Sequence, residues 1–268
     1  MAIIPSFFLD AVVSIGIKVK SSTSWIGTGF FVIRKVNTDG AARPFLVTNR
    51  HVVVNNKSII IRMKEKGSNS LREIVAPLEE NGTIIYKLHP DSKVDIAVIP
   101  LNGSFIQSNN LDFSSFDIDE HALTSDELLS SGVDEGSLIH MLGFPMGLVN
   151  VGSNLPICRL GCIARLSKEQ ISETHDILVD IQNFPGNSGS PIVSRPEIVS
   201  IQGTKSLDRA VLLGIVHSYI PYRESLINSQ TKEVVEIRSE NSGLANVHPV
   251  EFIREIIDTI QPKLDISN

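Results

Sequence analysis

The sequence has few of the residue types that would place it in a specialised class of protein. It contains two cysteines among 268 residues, one tryptophan and 6% aromatic residues, and its net charge is −6 at neutral pH. Two cysteines exclude a disulfide-rich scaffold. The negative net charge, and the lack of segments in which arginines alternate with aromatic residues, argue against a nucleic-acid partner. No run of 18 apolar residues occurs, so the sequence predicts no membrane-spanning helix and no membrane partner.

The two cysteines, Cys158 and Cys162, lie four residues apart in a β-like segment. In an extended chain their Cα atoms would be about 13 Å apart, well beyond the reach of a disulfide. No histidine neighbours them, so they do not form a zinc motif. We therefore expect two buried, reduced thiols and neither a metal nor a cofactor. Because no signal peptide is recognisable either, a cytoplasmic location is favoured, with an exported form left open.

A glycine-flanked serine stands out in the segment FPGNSGSP at residues 184–191. Glycine at 186 and 189 permits positive φ and a close approach of the backbone, which lets the NH groups of Gly186 and Ser188 converge on one point. A serine held in this way can attack a carbonyl while the two amides stabilise the oxyanion. Taken alone, however, the pattern more often marks a plain turn between strands.

A base and a carboxylate occur earlier in the chain. His51 follows the apolar run at 45–48, at the point where a strand should end. Asp95 opens the apolar strand at 96–99, where a buried carboxylate needs a partner. We expect that partner to be the ring NH of His51, which would fix the imidazole tautomer. Asp91 is the rival for this role, and a strand-end cap is the other role open to Asp95.

The order His51, Asp95, Ser188 is the chain order of the chymotrypsin-type triad. With the motifs around these residues, the chain resembles the trypsin-like serine peptidases of the HtrA/Deg and glutamyl endopeptidase branch. The matching motifs are GTGFFV (27–32), TNRHVV (48–53), DIAV (95–98), GFPMG (143–147) and GNSGSP (186–191).

The resemblance implies a serine endopeptidase that acts on polypeptides without a cofactor. Ser188 would be the nucleophile, His51 the base and Asp95 the residue that orients His51. The NH groups of Gly186 and Ser188 would form the oxyanion hole.

Strand and turn signals divide the chain into two halves, and the fold class that we expect is all-β. Six short β-rich runs before residue 101, and six more between 137 and 238, suggest two antiparallel six-stranded β-barrels of chymotrypsin type. The expected division is an N-terminal barrel at 1–105, a connection at 106–134 with a short helix near 125–129, and a C-terminal barrel at 135–268.

The final element is predicted to be a helix at residues 249–260, because its apolar residues form one stripe and a proline suits its first turn. The family resemblance implies that this helix packs on the second barrel. Because the sequence ends soon afterwards, we do not expect the PDZ module that many HtrA-type enzymes append.

The family positions also suggest a substrate pocket. Gln182, six residues before the serine, should form its floor, and residues 214–219 one wall, with His217 and Ser218 facing the substrate. A neutral Gln182 does not match the aspartate that selects basic residues in trypsin. His217 falls one position later than the histidine of glutamyl endopeptidases. It either meets an acidic substrate side chain or is a wall or core histidine.

Asn187 stands where zymogen-activated trypsins have an aspartate that pairs with a new N-terminal amine, so activation by N-terminal cleavage is not expected. Three functions are open: a constitutive endopeptidase, a latent effector protease activated by an unknown protein partner, and an inactive trypsin-like binding module. Polar segments at 102–134 and 195–210 leave room for a partner. Because all three catalytic residue types are retained, the active endopeptidase is favoured.

Overall fold

Strands dominate the structure, a computed structural model that describes residues 3–68, 70–150, 152–197 and 205–263. Part of the polar segment predicted at 195–210 therefore lies outside the described residues. The first half of the chain contains ten strands. They are β1 (Val12–Val19), β2 (Ser22–Lys35), β3 (Ala42–Thr48), β4 (Ser58–Lys64), β5 (Leu71–Pro77), β6 (Glu79–Glu80), β7 (Thr83–Ile84), β8 (Lys87–Leu88), β9 (Ala97–Pro100) and β10 (Phe116–Asp117).

Eight of these strands form one sheet, called here the first sheet. Its strand order is β5-β4-β1-β2-β3-β9-β8, and β10 pairs with β2 in parallel. Strands β6 and β7 form a separate two-stranded sheet, and β5 does not pair with β8. The first half thus differs from the closed six-stranded barrel that we expected, because the segment between β5 and β8 pairs with itself instead of closing the ladder.

Alternation along the central strands sends successive residues into two different cores. In β2, Phe30 and Val32 lie in a core shared with the second half of the chain, whereas Phe31 lies in the core enclosed by the first sheet. Successive side chains of a strand point to opposite faces. Both faces of the central strands are therefore covered, and the first sheet is attached to the rest of the protein by apolar contact.

The second half forms a closed barrel in the order β11-β12-β13-β16-β15-β14. The expected six-stranded barrel is confirmed here. Its sixth strand was predicted at 232–238, but these residues lie in the outer part of a long hairpin, and residues 244–247 pair with β13 to close the barrel. The strands are β11 (Leu138–Gly143), β12 (Ile157–Arg165), β13 (Ile177–Asp180), β14 (Pro191–Ser194), β15 (Leu212–Ile227) and β16 (Val234–Pro249).

The helices are short except for the last one. The fourth begins with a capping box formed by Thr124 and Glu127, which confirms the helix expected near 125–129. None of the helices among the described residues has both the length and the apolar character needed to cross a bilayer. The helices are α1 (Ser6–Asp10), α2 (Arg50–Val53), α3 (Gly103–Ser108), α4 (Ser125–Ser130), α5 (Lys168–Thr174) and α6 (Val250–Ile260), with a 3₁₀ turn at Pro145–Gly147.

The C-terminal helix α6 is confirmed where the apolar stripe predicts it. Its residues Val250, Ile253, Ile256 and Ile257 are buried. They contact not only β15 and β16 of the barrel but also β9 of the first sheet. The helix therefore joins the two halves instead of packing on the second one alone. The all-β fold of chymotrypsin type with a C-terminal helix is confirmed as a whole.

The state of the cysteines agrees with the sequence only in part. Both Cys158 and Cys162 are free thiols, as expected. The expectation that they are buried is wrong, because Cys158 is exposed and Cys162 is only half-buried. Most of the first half of β12 faces solvent, because its neighbours Ile157 and Leu160 are exposed as well.

The joining role of α6 can be tested with one pair of isoleucines. Ile253 is fully buried in the shared core, whereas Ile237 in the long hairpin is 63% exposed. Ile253→Ala should lower the free energy of unfolding by about 3 kcal/mol, because it leaves a cavity between the two halves. Ile237→Ala makes the same chemical change at the surface and should stay within about 0.5 kcal/mol. Urea unfolding measures both, and equal losses would contradict the shared core.

Candidate active site

His51 and Asp95 come together because β3 and β9 are paired, with Thr48 opposite Ala97. His51 lies in α2, which starts just after β3 ends, and Asp95 lies two residues before β9. The His51 Nδ1 atom is 2.5 Å from Asp95 Oδ2, and the His51 backbone NH donates to Asp95 Oδ1 over 3.0 Å. With Nδ1 donating to a carboxylate, Nε2 of the neutral ring is left as the basic nitrogen.

The rival carboxylate, Asp91, lies elsewhere. Its Oδ2 atom is 3.2 Å from Nε2 of His175, on the turn before β13. Its Oδ1 atom accepts the Lys93 backbone NH over 2.8 Å. Asp95, and not Asp91, therefore faces His51.

The Ser188 turn rests against β2, beside the end of β3 that leads to α2. The Thr28 backbone NH donates to the Ser188 carbonyl over 2.8 Å, and the Thr28 carbonyl accepts from Thr48 Oγ1 over 2.8 Å. Gly189 has a φ of +90°, and a Cβ there would lie 2.0 Å from the Thr28 carbonyl oxygen. Only glycine fits this approach, which brings the serine from the second half to the strand end that carries His51.

The peptide groups around Gly186 leave two amides unengaged. The Pro185 carbonyl accepts the Met146 NH over 2.5 Å, and the Asn187 carbonyl accepts the Ser190 NH over 2.8 Å. No peptide bond is cis. In a trans peptide the NH points opposite to the carbonyl, so the NH groups of Gly186 and Ser188 point away from these partners. Neither amide donates to an atom of the described residues, which leaves both available to an oxyanion.

The side chain of Asn187 explains why an amide suits this position. It is 1% exposed, and neither its nitrogen nor its oxygen has a hydrogen-bond partner among the described residues. A carboxylate buried in the same place would be an unpaired charge, which is far more costly than an unpaired amide.

The three pocket residues from the sequence are not placed alike. Gln182 is exposed and lies beside Gly243, where an added Cβ would come 3.5 Å from Gln182 Nε2. Ser218 Oγ accepts from the Asn246 side chain over 3.1 Å. His217 is turned to Asp176, with its Nε2 atom 2.9 Å from Asp176 Oδ1. One of its two ring nitrogens is thus engaged by a carboxylate.

Sequence reasoning assigned no role to the residues behind Asp95. His248 Nε2 accepts the Asp95 backbone NH over 2.9 Å. Its Nδ1 atom lies 2.9 Å from both the His175 carbonyl and Asp176 Oδ1. The His248 ring stacks on His217 with 3.9 Å between centroids and 5° between planes. No spacing motif links these residues, so the sequence offered no signal for the group.

One group of side chains among the described residues has the composition of a metal site. It consists of Asp176, His217 and His248, whose possible ligand atoms lie within 4.8 Å of one another. The hydrogen bonds explain them differently. An amide NH can only donate, so Nε2 of His248 must be unprotonated and Nδ1 of the neutral ring carries the proton. A protonated Nδ1 has no lone pair for a metal.

The charge of Asp176 is stabilised by the two histidines. Burial raises the pKa of this carboxyl, but the hydrogen bonds from His217 and His248 outweigh burial and lower its pKa to about 2. The carboxylate therefore stays ionised and keeps accepting from both rings across the neutral range.

A comparison with protein families agrees with this fold. The trypsin-like peptidase domain family matches residues 27–197, more than half of the chain, so the chain belongs to that family. No curated protein matches it significantly. Among solved structures it is similar to the MamO protease domain from Magnetospirillum magneticum in its apo form. The two are 14% identical with a TM-score of 0.44, over 93% of this chain and 96% of that one.

The ionised Asp176 makes a prediction about acid stability. Its folded pKa of about 2 lies below the ordinary 3.8, so its stabilisation is complete above pH 4 and is lost as the pH falls towards 2. Between pH 4 and pH 2 the free energy of unfolding of the wild type should fall by about 2 kcal/mol more than that of Asp176→Asn. Urea unfolding at a series of pH values measures the difference. Asp126→Asn, at an exposed carboxylate, is the control and should follow the wild type. Parallel curves for Asp176→Asn and wild type would contradict the prediction.

Thr28 makes a second prediction. Its hydroxyl donates to the Gly186 carbonyl over 2.7 Å and accepts the Phe144 NH over 3.1 Å. Thr28→Val leaves two buried backbone groups unpaired and should cost about 2 to 4 kcal/mol of unfolding free energy. Thr28→Ser keeps the hydroxyl, loses one methyl and should cost about 1 kcal/mol. Thermal or urea unfolding compares them, and a valine as stable as the serine would show that these bonds are unimportant.

Proposed function

We propose that this protein is a serine endopeptidase that hydrolyses peptide bonds through an acyl-enzyme. The observation that carries the proposal is the pairing of His51 Nδ1 with Asp95 at 2.5 Å. This pairing lies next to a serine turn in which the NH groups of Gly186 and Ser188 have no intramolecular partner among the described residues. Acyl transfer requires a base, a nucleophile and donors for the oxyanion. The candidate site offers an imidazole with a free Nε2, a nearby hydroxyl and two free amide donors.

In the proposed reaction Ser188 Oγ attacks the carbonyl carbon of the substrate, and its proton passes to His51 Nε2. Asp95 stabilises the resulting imidazolium, and the NH groups of Gly186 and Ser188 bind the oxyanion. The C–N bond then breaks as His51 gives the proton to the leaving amine. A water molecule, deprotonated by His51, hydrolyses the ester that remains on Ser188 and returns the serine.

The proposed relationship is to the HtrA/Deg and glutamyl endopeptidase branch of the family, on the GNSGSP motif that carries Ser188. The exposed, neutral Gln182 supports selection of uncharged substrate side chains over basic ones. The bond between His217 Nε2 and Asp176 supports the wall or core role of this histidine, because it fixes the ring from inside the second half of the chain.

A latent protease is the second candidate function, and one observation favours it. Within the described residues, no hydrogen bond joins Ser188 Oγ to the His51 ring. Such bonds are often long in the free enzyme and tighten with substrate. A protein partner that brings the two halves closer would act on the same contact.

The proposed nucleophile is tested by Ser188→Ala. If the triad acts as a unit, this change should lower the turnover of a peptide substrate by about 10⁵-fold. A fluorophosphonate probe should label Ser188 in the wild type, with the site confirmed by peptide mass spectrometry. Ser22→Ala, at an exposed turn of the first sheet, is the matched control and should keep full labelling. Hydrolysis that survives in Ser188→Ala would refute the assignment.

The same assay separates the candidate functions. Labelling together with cleavage of casein by the purified chain indicates a constitutive enzyme. Absence of both indicates a latent or inactive protein, and recovery on addition of a partner would then distinguish these two.

A further inference from the structure

The segment 89–95, which ends in Asp95, is tied to the second half of the chain by histidines. His89 Nε2 lies 2.8 Å from Glu255 on α6. His175 Nε2 lies 3.2 Å from Asp91. Both contacts cross between the first sheet and the second half, so the position of this segment depends on how the two halves fit together.

His248 makes the third and most direct contact of this kind. Its Nε2 atom accepts the backbone NH of Asp95 itself over 2.9 Å, and its side chain is 1% exposed. The rings of all three histidines lie around one aromatic side chain, Phe252, with centroid distances of 5.3, 5.5 and 6.2 Å for His89, His175 and His248. The backbone of Asp95 is therefore held from behind by a buried ring that cannot move freely.

The chemistry of the ring fixes its direction. Because the Asp95 NH can only donate, the lone pair of His248 must be on Nε2 and its proton on Nδ1. That proton meets two acceptors at 2.9 Å, the His175 carbonyl and Asp176 Oδ1. The ionised carboxylate favours the tautomer that leaves Nε2 free to accept. On its face the ring is stacked against His217, which bonds to the same carboxylate oxygen.

We propose that His248 is a positioning residue of the triad, and that Asp176 fixes its tautomer. This inference rests on the proposed endopeptidase function. Both carboxylate oxygens of Asp95 are engaged by His51, so a shift of the Asp95 backbone is passed directly to the imidazole. Through His248, the relative position of the two halves of the protein thus affects the orientation of the His51 ring.

The test compares two substitutions of His248. His248→Gln presents a side-chain oxygen that can accept the Asp95 NH, whereas His248→Leu has similar bulk and no acceptor. His248→Leu should lower kcat and the rate of fluorophosphonate labelling by about 10- to 100-fold with KM within about twofold, because a misplaced base slows the chemical step without weakening substrate binding. His248→Gln should recover most of this loss.

The matched control is His140→Leu. His140 is also a buried histidine of the second barrel, 9% exposed, and its Nδ1 atom has no partner among the described residues. This control should keep the wild-type kcat. The inference is overturned if His248→Leu behaves like His140→Leu. It is also overturned if His248→Leu and His248→Gln lose thermal stability while kcat per labelled active site stays at the wild-type value.

A readout that does not need activity separates this inference from the proposed function. If the wild type is not labelled, the constitutive endopeptidase is refuted, but the proton NMR signal of His51 Nδ1–H still reports on the His51–Asp95 bond. His248→Leu should shift or broaden this signal and His248→Gln should retain it, whereas an unchanged signal in His248→Leu overturns the positioning role. Should His248→Leu not fold, Asp176→Asn takes its place: it should lower kcat and leave KM unchanged, and a wild-type kcat would overturn the inference.

Discussion

The hydrogen bonds of one fully buried threonine hold the two halves of the candidate site together. Thr28 donates its NH to the Ser188 carbonyl and its hydroxyl to the Gly186 carbonyl. Its hydroxyl accepts the Phe144 NH, and its carbonyl accepts from Thr48. Every polar group of the residue is therefore satisfied, by the serine turn, by Phe144 and by Thr48. Since removal of any buried partner leaves a desolvated group unpaired, the serine turn has one favourable position relative to the strand that leads to His51.

A second attachment secures the other side of the site, and its use of histidine has a physical reason. A neutral imidazole accepts with one nitrogen and donates with the other. His248 can therefore bridge the Asp95 amide and the Asp176 carboxylate without adding a buried charge. An ammonium group in this place could only donate and would repel the amide, and a second carboxylate would repel Asp176. The network thus stays satisfied with one ionised group at its centre.

Local patterns were sufficient to predict what depends on strand and helix periodicity. The apolar runs before His51 and after Asp95 form adjacent strands, and the stripe of isoleucines forms α6. Other features were beyond such patterns. Whether the first sheet closes depends on how residues 79–84 pair. The part of β16 that closes the second barrel follows a long polar hairpin, so the strand signal at 232–238 was assigned to the barrel instead. Asp176 and His248 are 72 positions apart in the sequence, and no motif links them. Only folding of the chain brings them together.

The orientation of the Gly186 and Ser188 amides follows from ordinary hydrogen bonds and not from a buried charge. The Pro185 carbonyl is bonded to Met146 and the Asn187 carbonyl to Ser190, so the two peptide groups that carry the Gly186 and Ser188 NH groups are each fixed on one side. A carboxylate at position 187 would need a cation to hold it in the interior. The neutral Asn187 needs none, and the turn can keep its shape through its contacts with the rest of the chain. Control of such a site would then act on the fit between the two halves, which Thr28 and the histidines around Asp95 jointly determine.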